Sequence, residues 1–458
     1  MRGPNVNLAG VIDESGLSAN ALARHIRDIA AEWRVQARPV YTQVGRWKSG
    51  QEPRFETQLL IAEALARKLG RPVSLQELGF DALPAEEAGI ADYHEDPVRA
   101  LESSCALWRA DVAGLRVVDS AVSISSVSSA ALSWLLSTSR PSVARAEGTV
   151  VVNERDVEGL RSTTAVFAGL DNMFGGRHSR IAAVQYLDDQ VAPLLRGRYT
   201  SKVGAALHAA VAEFLLCVGW MAYDSARHHL ARRYFLLALV FAQLSRDRLL
   251  GASVLSALSH QANFLGEFTA ARDLARAARQ SALHTGSPKL RAQFAAMEAR
   301  AHASLQDRNS ALRALGEAEE HFAGCDGAPD PAWISYFDEA ELAAEQAHCR
   351  LALSDYRRAA AGLAAFPGAG TADYARSNAF AGIVRVESLI GSGELEEAAS
   401  VSRQVLGVCH TLGSSRIDAY LDRVRRRLEH YGPSPRAREI VGGLDQVQAF
   451  RAQRRPAN

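Results

Sequence analysis

The sequence predicts an all-α chain, with a few short helices first and a long stack of helical hairpins after them. Three observations predict it. Apolar residues recur at helical spacing through most of the 458 residues. Gly and Pro stand where the early segments stop. In the second half, a spacing of small residues repeats five times.

The early elements follow in order. Leu8, Val11 and Ile12 share one helical face, and Gly16 ends that helix. Ser18 caps a second helix carrying Ala21, Leu22, Ile26 and Ile29. After Pro39 a short helix is expected around Thr42–Lys48, stopped by Gly50 and Pro53. A last helix uses Leu59, Leu60, Ile61, Ala64, Leu65 and Leu69, and Gly70 and Pro72 stop it. Residues 81–105 read as a polar connection. Residues 120–142 hold ten serines among Val, Ile, Ala and Leu, which fits either a loose helix or a mobile linker, because Ser competes for backbone hydrogen bonds. Thr149–Val152 reads as a short extended piece. From Asp156 onward the pattern is helix after helix.

The repeat is the strongest signal. Ala231/Phe235/Ala238, Ala271/Ala275/Ala278, Ala311/Leu315/Ala318, Ala359/Leu363/Phe366 and Ala398/Ser402/Val405 share a spacing of four then three. Their first members lie 40, 40, 48 and 39 residues apart. Turns of one kind introduce three of them: Gly266-Glu-Phe268, Ser354-Asp-Tyr356 and Gly393-Glu-Leu395. The longer interval holds a loop insertion, Gly324 to Pro331. Closely packed antiparallel helices need small residues where their backbones approach, and such a hairpin buries its apolar face only by stacking on the next. This is the pattern of tetratricopeptide repeats, with helices longer than the usual unit of ~34 residues. The expected layout is a small helical unit over 1–80, a partly Ser-rich connection over 81–155, a tetratricopeptide-like α-solenoid over 156–430 and a basic tail over 431–458.

Composition narrows the function. Hydrophobic residues are 48% and charged residues 22%, a globular balance, and the length suits two or three domains. Lys plus Arg is 52 against 51 for Asp plus Glu, so net charge names no partner. Residues 24–54 nevertheless hold seven basic and three acidic side chains. Five scattered cysteines with no CxxC pair argue for reduced thiols rather than disulfides or zinc. No apolar run is expected to cross a bilayer, and the first ten residues lack a signal-peptide core, so a cytoplasmic location away from membranes is expected.

The segment Thr42-Gln-Val-Gly-Arg-Trp-Lys-Ser49 carries the first functional reading. Val44 and Trp47 are three apart and face a core together, which turns Thr42, Gln43, Gly45, Arg46, Lys48 and Ser49 outward. Gln pairs with adenine and Arg with guanine in a major groove, Lys and Ser suit phosphates, and Gly45 lets backbone approach DNA. The alternative is a structural cap with solvated charges. Three strings resemble the phage-repressor-like helix-turn-helix family: Leu8 to Ala23 with Gly16-Leu-Ser18, Val44-x-Arg46-Trp47-x-x-Gly50-x-x-Pro53, and Ile61-Ala62-x-x-Leu65. About a dozen extra residues, Ile29–Ala37 among them, separate the scaffold and recognition segments and lengthen the second helix. The resemblance implies double-stranded DNA as partner and, because one unit reads one half-site, a homodimer.

The order of parts resembles a two-part family of actinobacterial transcriptional regulators that control sporulation and antibiotic production. Further phrases are similar to it: Asp156-Val-Glu-Gly-Leu-Arg161, Leu170-Asp-x-x-Phe-Gly-Gly176, Pro193-Leu-Leu-Arg-Gly-Arg-Tyr199 and Gly219-Trp-Met-Ala-Tyr-Asp224. The architecture also resembles quorum-sensing regulators that pair such a head with a peptide-binding array. A peptide or small-molecule effector is therefore expected on the inner helix faces. Counting back from the repeat alanines gives Trp220, Tyr223 and Asp224, then Ser256, His260 and Asn263, then Arg300, then Glu341 and His348. Ser253, Glu213, Gln293 and Glu345 fall on the same faces. Arg300 suits a carboxylate, Asn263 a peptide bond, and Trp220 or Tyr223 an apolar side chain. The alternative is a solvated concave surface.

Nothing in the sequence supports catalysis. Phe174-Gly-Gly-Arg-His178 fits no phosphate loop, the adjacent His228 and His229 cannot share a helical face, and no nucleophile elbow occurs. No enzyme activity, metal or cofactor is expected. The competing function is a repeat scaffold that binds another protein, with its head as a docking module.

Overall fold

In a computed structural model of the chain, the described residues are 4–32, 39–53, 55–71, 73, 75, 77–80, 96–137, 148–283, 287–325, 330–364, 374–432 and 434–453. The fold is all-α with solenoid-like packing. Among the described residues the only β contact is an isolated parallel bridge between Val151 and Arg198, at the expected extended piece.

Four helices form the head: α1 (Val6–Ser15), α2 (Ala19–Glu32), α3 (Tyr41–Lys48) and α4 (Phe55–Leu69). Asn5 caps α1 by accepting the Leu8 N–H at 2.9 Å, and Gly16, at φ +66°, ends it. Ser18 accepts the Ala21 N–H at 3.2 Å. The apolar faces meet in one core of Leu8, Ile12, Leu22, Ile26, Val44, Trp47, Ile61 and Leu65. The lengthened α2 is tied to the start of α3 by an Arg27 hydrogen bond to the Pro39 carbonyl at 2.7 Å. Residues 33–38, the middle of the insertion, lie outside the described residues, as do Arg54, His94, Glu95 and Arg454–Arg455.

The described part of the connection, 96–137 and 148–155, is largely helical and packed. It comprises α5 (Pro97–Val112), a 3-10 turn (Arg116–Asp119) and α6 (Ile124–Leu136). The serine-rich stretch is a helix because Ser123 caps it through the Ser126 N–H at 3.1 Å. Its serines face solvent while Val127, Ala130, Ala131 and Trp134 face the core. Asp111 of α5 is fully buried and takes Arg180, Arg227 at 2.7 Å and the Tyr234 hydroxyl at 2.8 Å. Leu75 packs against both the head core and this core, so the head rests on the connection.

Then come α7 (Glu154–Phe174), α8 (Arg180–Tyr186), a π-helical turn (Leu187–Val191), α9 (Ala192–Leu195) and the hairpins. The hairpins pair α10 (Ser201–Asp224) with α11 (His228–Ser245), and α12 (Arg248–Phe264) with α13 (Phe268–Ala282). Next are α14 (Pro288–Ser304) with α15 (Arg308–Ala323), and α16 (Glu339–Ala352) with α17 (Tyr356–Gly362). The last are α18 (Ala375–Ser392) with α19 (Leu395–Cys409), and α20 (Ser415–Leu428) with α21 (Pro435–Gln453). The repeat alanines lie on the second helix of each of the first five pairs and are fully buried: Ala231, Ala271, Ala311, Ala359 and Ala398 all read 0%. Phe366 and residues 326–329 of the insertion lie outside the described residues.

Each of these five hairpins turns on one left-handed residue: Ala226, Gly266, Gln306, Ser354 and Gly393. Their intervals match those of the repeat alanines, so the turn and the packing position keep one register. The array extends past residue 430, because α21 buries Ala437, Ile440, Leu444 and Val447. Arg451 is 7% exposed and donates to the Cys409 carbonyl at 2.8 Å and to Asp418 at 2.6 Å, so it is a latch rather than part of a solvated tail. Contrary to the expectation from sequence, α10 is long and apolar enough to span a membrane by length and composition. Its apolar window is 67% buried inside the array.

The array closes on its own beginning. The Gly413 N–H donates to the Phe174 carbonyl at 2.6 Å, and Arg177 donates to Ser415 at 2.7 Å. Asp224 accepts from the Gly176 N–H at 3.0 Å and from Ser414 at 2.7 Å. Arg376 reaches Asp171 at 2.5 Å and Asp224 at 3.8 Å. A Cβ on Gly176 would lie 2.3 Å from the Met221 carbonyl, so only glycine permits the approach of these two helix ends. The glycines of Phe174–His178 thus serve this closure.

Candidate nucleic-acid interface and inner chamber

The head presents one face of α3. Val44 and Trp47 are buried at 0% and 5%, which fixes the helix roll. Thr42, Gln43, Gly45, Arg46 and Ser49 are exposed, and Lys48 is half-buried. Gln43 bonds back to the Val40 N–H at 3.0 Å and so caps the helix, and Ser49 donates to the Gly45 carbonyl at 3.0 Å. Lys48 lies 3.6 Å from Asp13 of α1. Arg46 makes no hydrogen bond or ion pair among the described residues. A Cβ on Gly45 would meet nothing within 4 Å. Glycine inside a helix is unfavourable by roughly 0.5–1 kcal/mol relative to alanine, and no internal contact requires it here.

The inner helix faces of the array converge on a polar, aromatic interior, the inner chamber. The Trp220 and His260 rings are 5.2 Å apart, and the Tyr223 hydroxyl and His260 Nδ1 are 3.1 Å apart. Arg300 approaches His260 Nε2 at 3.4 Å and donates to both Glu345 oxygens at 2.8 Å. Burial first, then Arg300 and Arg416, hold His260 well below the usual histidine range, so it is neutral. His348 is neutral for the same reasons, and its ring meets Tyr420 edge-on at 5.8 Å. Glu341 is pushed up to about 7 by burial, then by Glu345 and Asp338.

The expected inner residues therefore divide. Trp220, Tyr223, His260, Arg300 and His348 converge as spacing implied, with Glu345 among them. Asp224 turns instead to the closure, and Ser256 is buried at 2% within α12. Glu213 pairs with Arg161 of α7 at 3.1 Å. Asn263 lies one turn from His260, and its Oδ1 is buried with no donor. Gln293 bonds the Tyr336 hydroxyl. Arg300, expected to hold a ligand carboxylate, already holds Glu345.

Sequence reasoning missed the opposite wall. Tyr420 lies 6.3 Å from Phe264 and 5.0 Å from Phe380. Arg416 stands 4.5 Å over Tyr223 and 4.5 Å over Phe380. Arg423 and Arg427 share Glu387, at 2.6 and 3.1 Å. The signal was present: Arg416, Tyr420, Arg423 and Arg427 follow helical spacing and stripe one side of α20. They fall after the last recognised repeat, where no alanine register pointed to them. Among the described residues no group of His, Cys, Asp or Glu is arranged to hold a metal.

Residues 8–81 match the family described as the SP15 N-terminal domain. No curated protein and no solved structure matches the chain.

Proposed function

We propose that the chain is a DNA-binding transcriptional regulator. Its head reads duplex DNA through α3, and its array, read as tetratricopeptide-like, senses an effector and supports dimerisation. The observation that carries the reading is the outer face of α3. It combines Arg46, whose side chain has no partner among the described residues, with a glycine at 45 that no contact among them requires. A helix whose own protein leaves a cation and an open backbone together is suited to a polyanion in a groove. The match over residues 8–81 supports treating the head as one unit. Its docking on the connection, through Leu75, gives the array a physical route to bias the arrangement of two heads.

The test is a gel-shift titration on sheared chromosomal DNA with the wild type and an Arg46→Ala/Lys48→Ala variant. Loss of Arg46 should weaken specific sites by about 1–3 kcal/mol, and loss of Lys48 should weaken all sequences alike. Equal binding by variant and wild type would reject α3 as the reading element. If no duplex binds while the array captures a protein, the scaffold reading takes its place.

A further inference from the structure

We infer that the chamber closed by α20 is a binding site for a small organic anion, with Arg416 as its anchor and Tyr223 and Phe380 as its walls. The inference rests on the proposal that the array is the sensory part. It moves the ligand's anchor from Arg300 to a residue in the last hairpin.

The argument begins with an accounting of charge. Arg300 is satisfied by Glu345, and Arg423 and Arg427 by Glu387. Arg376 is satisfied by Asp171. Arg416 differs. It is 7% exposed, it makes no hydrogen bond or ion pair among the described residues, and its Nε is buried with no partner. Its charge acts at a distance on the buried carboxyls of Asp171 and Glu341, but no acceptor among the described residues meets its N–H groups, and buried donors left unmet are unfavourable. The rings of Tyr223 and Phe380, both 4.5 Å away, stabilise the cation. They leave its in-plane N–H edge unmatched. A planar fork of donors beside two aromatic rings suits a carboxylate or phosphate oxygen pair attached to a flat apolar body.

The surroundings have the right sign. Tyr420 is buried, which alone would raise its pKa, yet Arg300, Arg423 and Arg416 hold it below the usual tyrosine range. The potential at its hydroxyl is therefore positive. His260 and His348 are neutral and can donate or accept without adding charge. His228, whose ring lies 5.8 Å from Tyr223, has a buried Nδ1 with no partner, a further open polar group beside the same wall. The ligand class that satisfies this set is a small anion with a carboxylate or phosphate head and an aromatic or apolar body.

The probes are benzoate, phenyl phosphate and, as the neutral isostere, benzamide, added to the full chain. Thermal shift and the fluorescence of Trp220, at the chamber wall, are read together. The expected result is a saturable rise in melting temperature with benzoate or phenyl phosphate and none with benzamide. The stronger of the two anions identifies the head group. Arg416→Gln should weaken that response by about tenfold or more. If Arg416→Gln does not fold, Arg416→Lys keeps the charge but loses the fork and should still weaken it. Equal responses to benzoate and benzamide in the wild type, or no response to either anion, would overturn the inference. So would an anion response unchanged in the Arg416 variant. Because these readouts contain no DNA, their failure leaves the reading of the head intact, and failure of DNA binding leaves the anion site intact.

Discussion

The outer face of α3 and the inner face of the array are both polar, but their polar groups have opposite obligations. On α3, Arg46 projects from a helix held by Val44 and Trp47 and owes nothing to the fold. In the array, Arg300, Arg376 and Arg423 hold buried carboxylates, so function and stability share the same atoms. The difference teaches where substitutions are informative. Changes on α3 should alter binding with little effect on stability, whereas most changes in the chamber should alter both. Arg416 is the exception within the array, because among the described residues no carboxylate is paired with it.

That comparison can be broken most forcefully at the closure. Arg376→Ala leaves Asp171 and Asp224, at 4% and 0% exposure, without their guanidinium. Removing one partner of a buried pair destabilises by about 3–5 kcal/mol. Urea denaturation followed by circular dichroism should show a loss of that size, and a loss below about 1 kcal/mol would show that the closure is not held by this pair.

A smaller effect is expected at Glu341. Its carboxyl is pushed from 4.5 up to about 7, so the folded state favours the protonated form. The contribution of Glu341 to stability should therefore fall as pH rises from about 4.5 to 7 and stay level above, opposite in sign to that of the buried neutral His260 and His348, so the comparison with a variant isolates it. Glu341→Gln should be stabilised by about 1 kcal/mol at pH 8, with the advantage vanishing near pH 4.5. Asp171, raised to about 6 by burial, has the same sign over a lower window and should persist in the variant. A melting-temperature difference that does not change with pH would contradict the assignment.

The smallest effect is expected at the hairpin turns. Ala226 adopts φ +62° where the equivalent turn uses Gly266 at φ +82°. A left-handed conformation disfavours residues with a Cβ by about 1–2 kcal/mol, offset in part by the greater entropy of unfolded glycine. Ala226→Gly should raise stability by several tenths of a kcal/mol, and Gly266→Ala should lower it by about 1 kcal/mol. Thermal melts that reverse this order would show that the two turns are not equivalent.

Much of this was legible in the sequence because it depends on local spacing. The alanine register located every second helix of the first five hairpins, and Gly266, Ser354 and Gly393 marked their turns. Ala226 and Gln306 stayed hidden because neither residue type announces a left-handed turn. The serine-rich helix was ambiguous because its propensity is weak, and burial of Trp134 decides it. The outward face of α3 followed from two apolar residues three apart, Val44 and Trp47. The far wall of the chamber did not follow, since Arg416 and Tyr420 meet Tyr223 and Phe264 only when the array closes, and no local pattern encodes a contact across about 190 residues.

The most direct test of the central claim is Gly45→Ala, read for stability and for DNA binding on the same preparation. The added methyl group meets nothing within 4 Å inside the protein. Helix propensity alone should then raise stability by about 0.5–1 kcal/mol. If α3 lies in a groove against DNA, the same methyl group stands where the backbone must approach. The account predicts a more stable protein that binds its chromosomal sites more weakly in fluorescence anisotropy. A variant that is stabilised and binds DNA as tightly as the wild type would contradict the placement of α3 at the DNA.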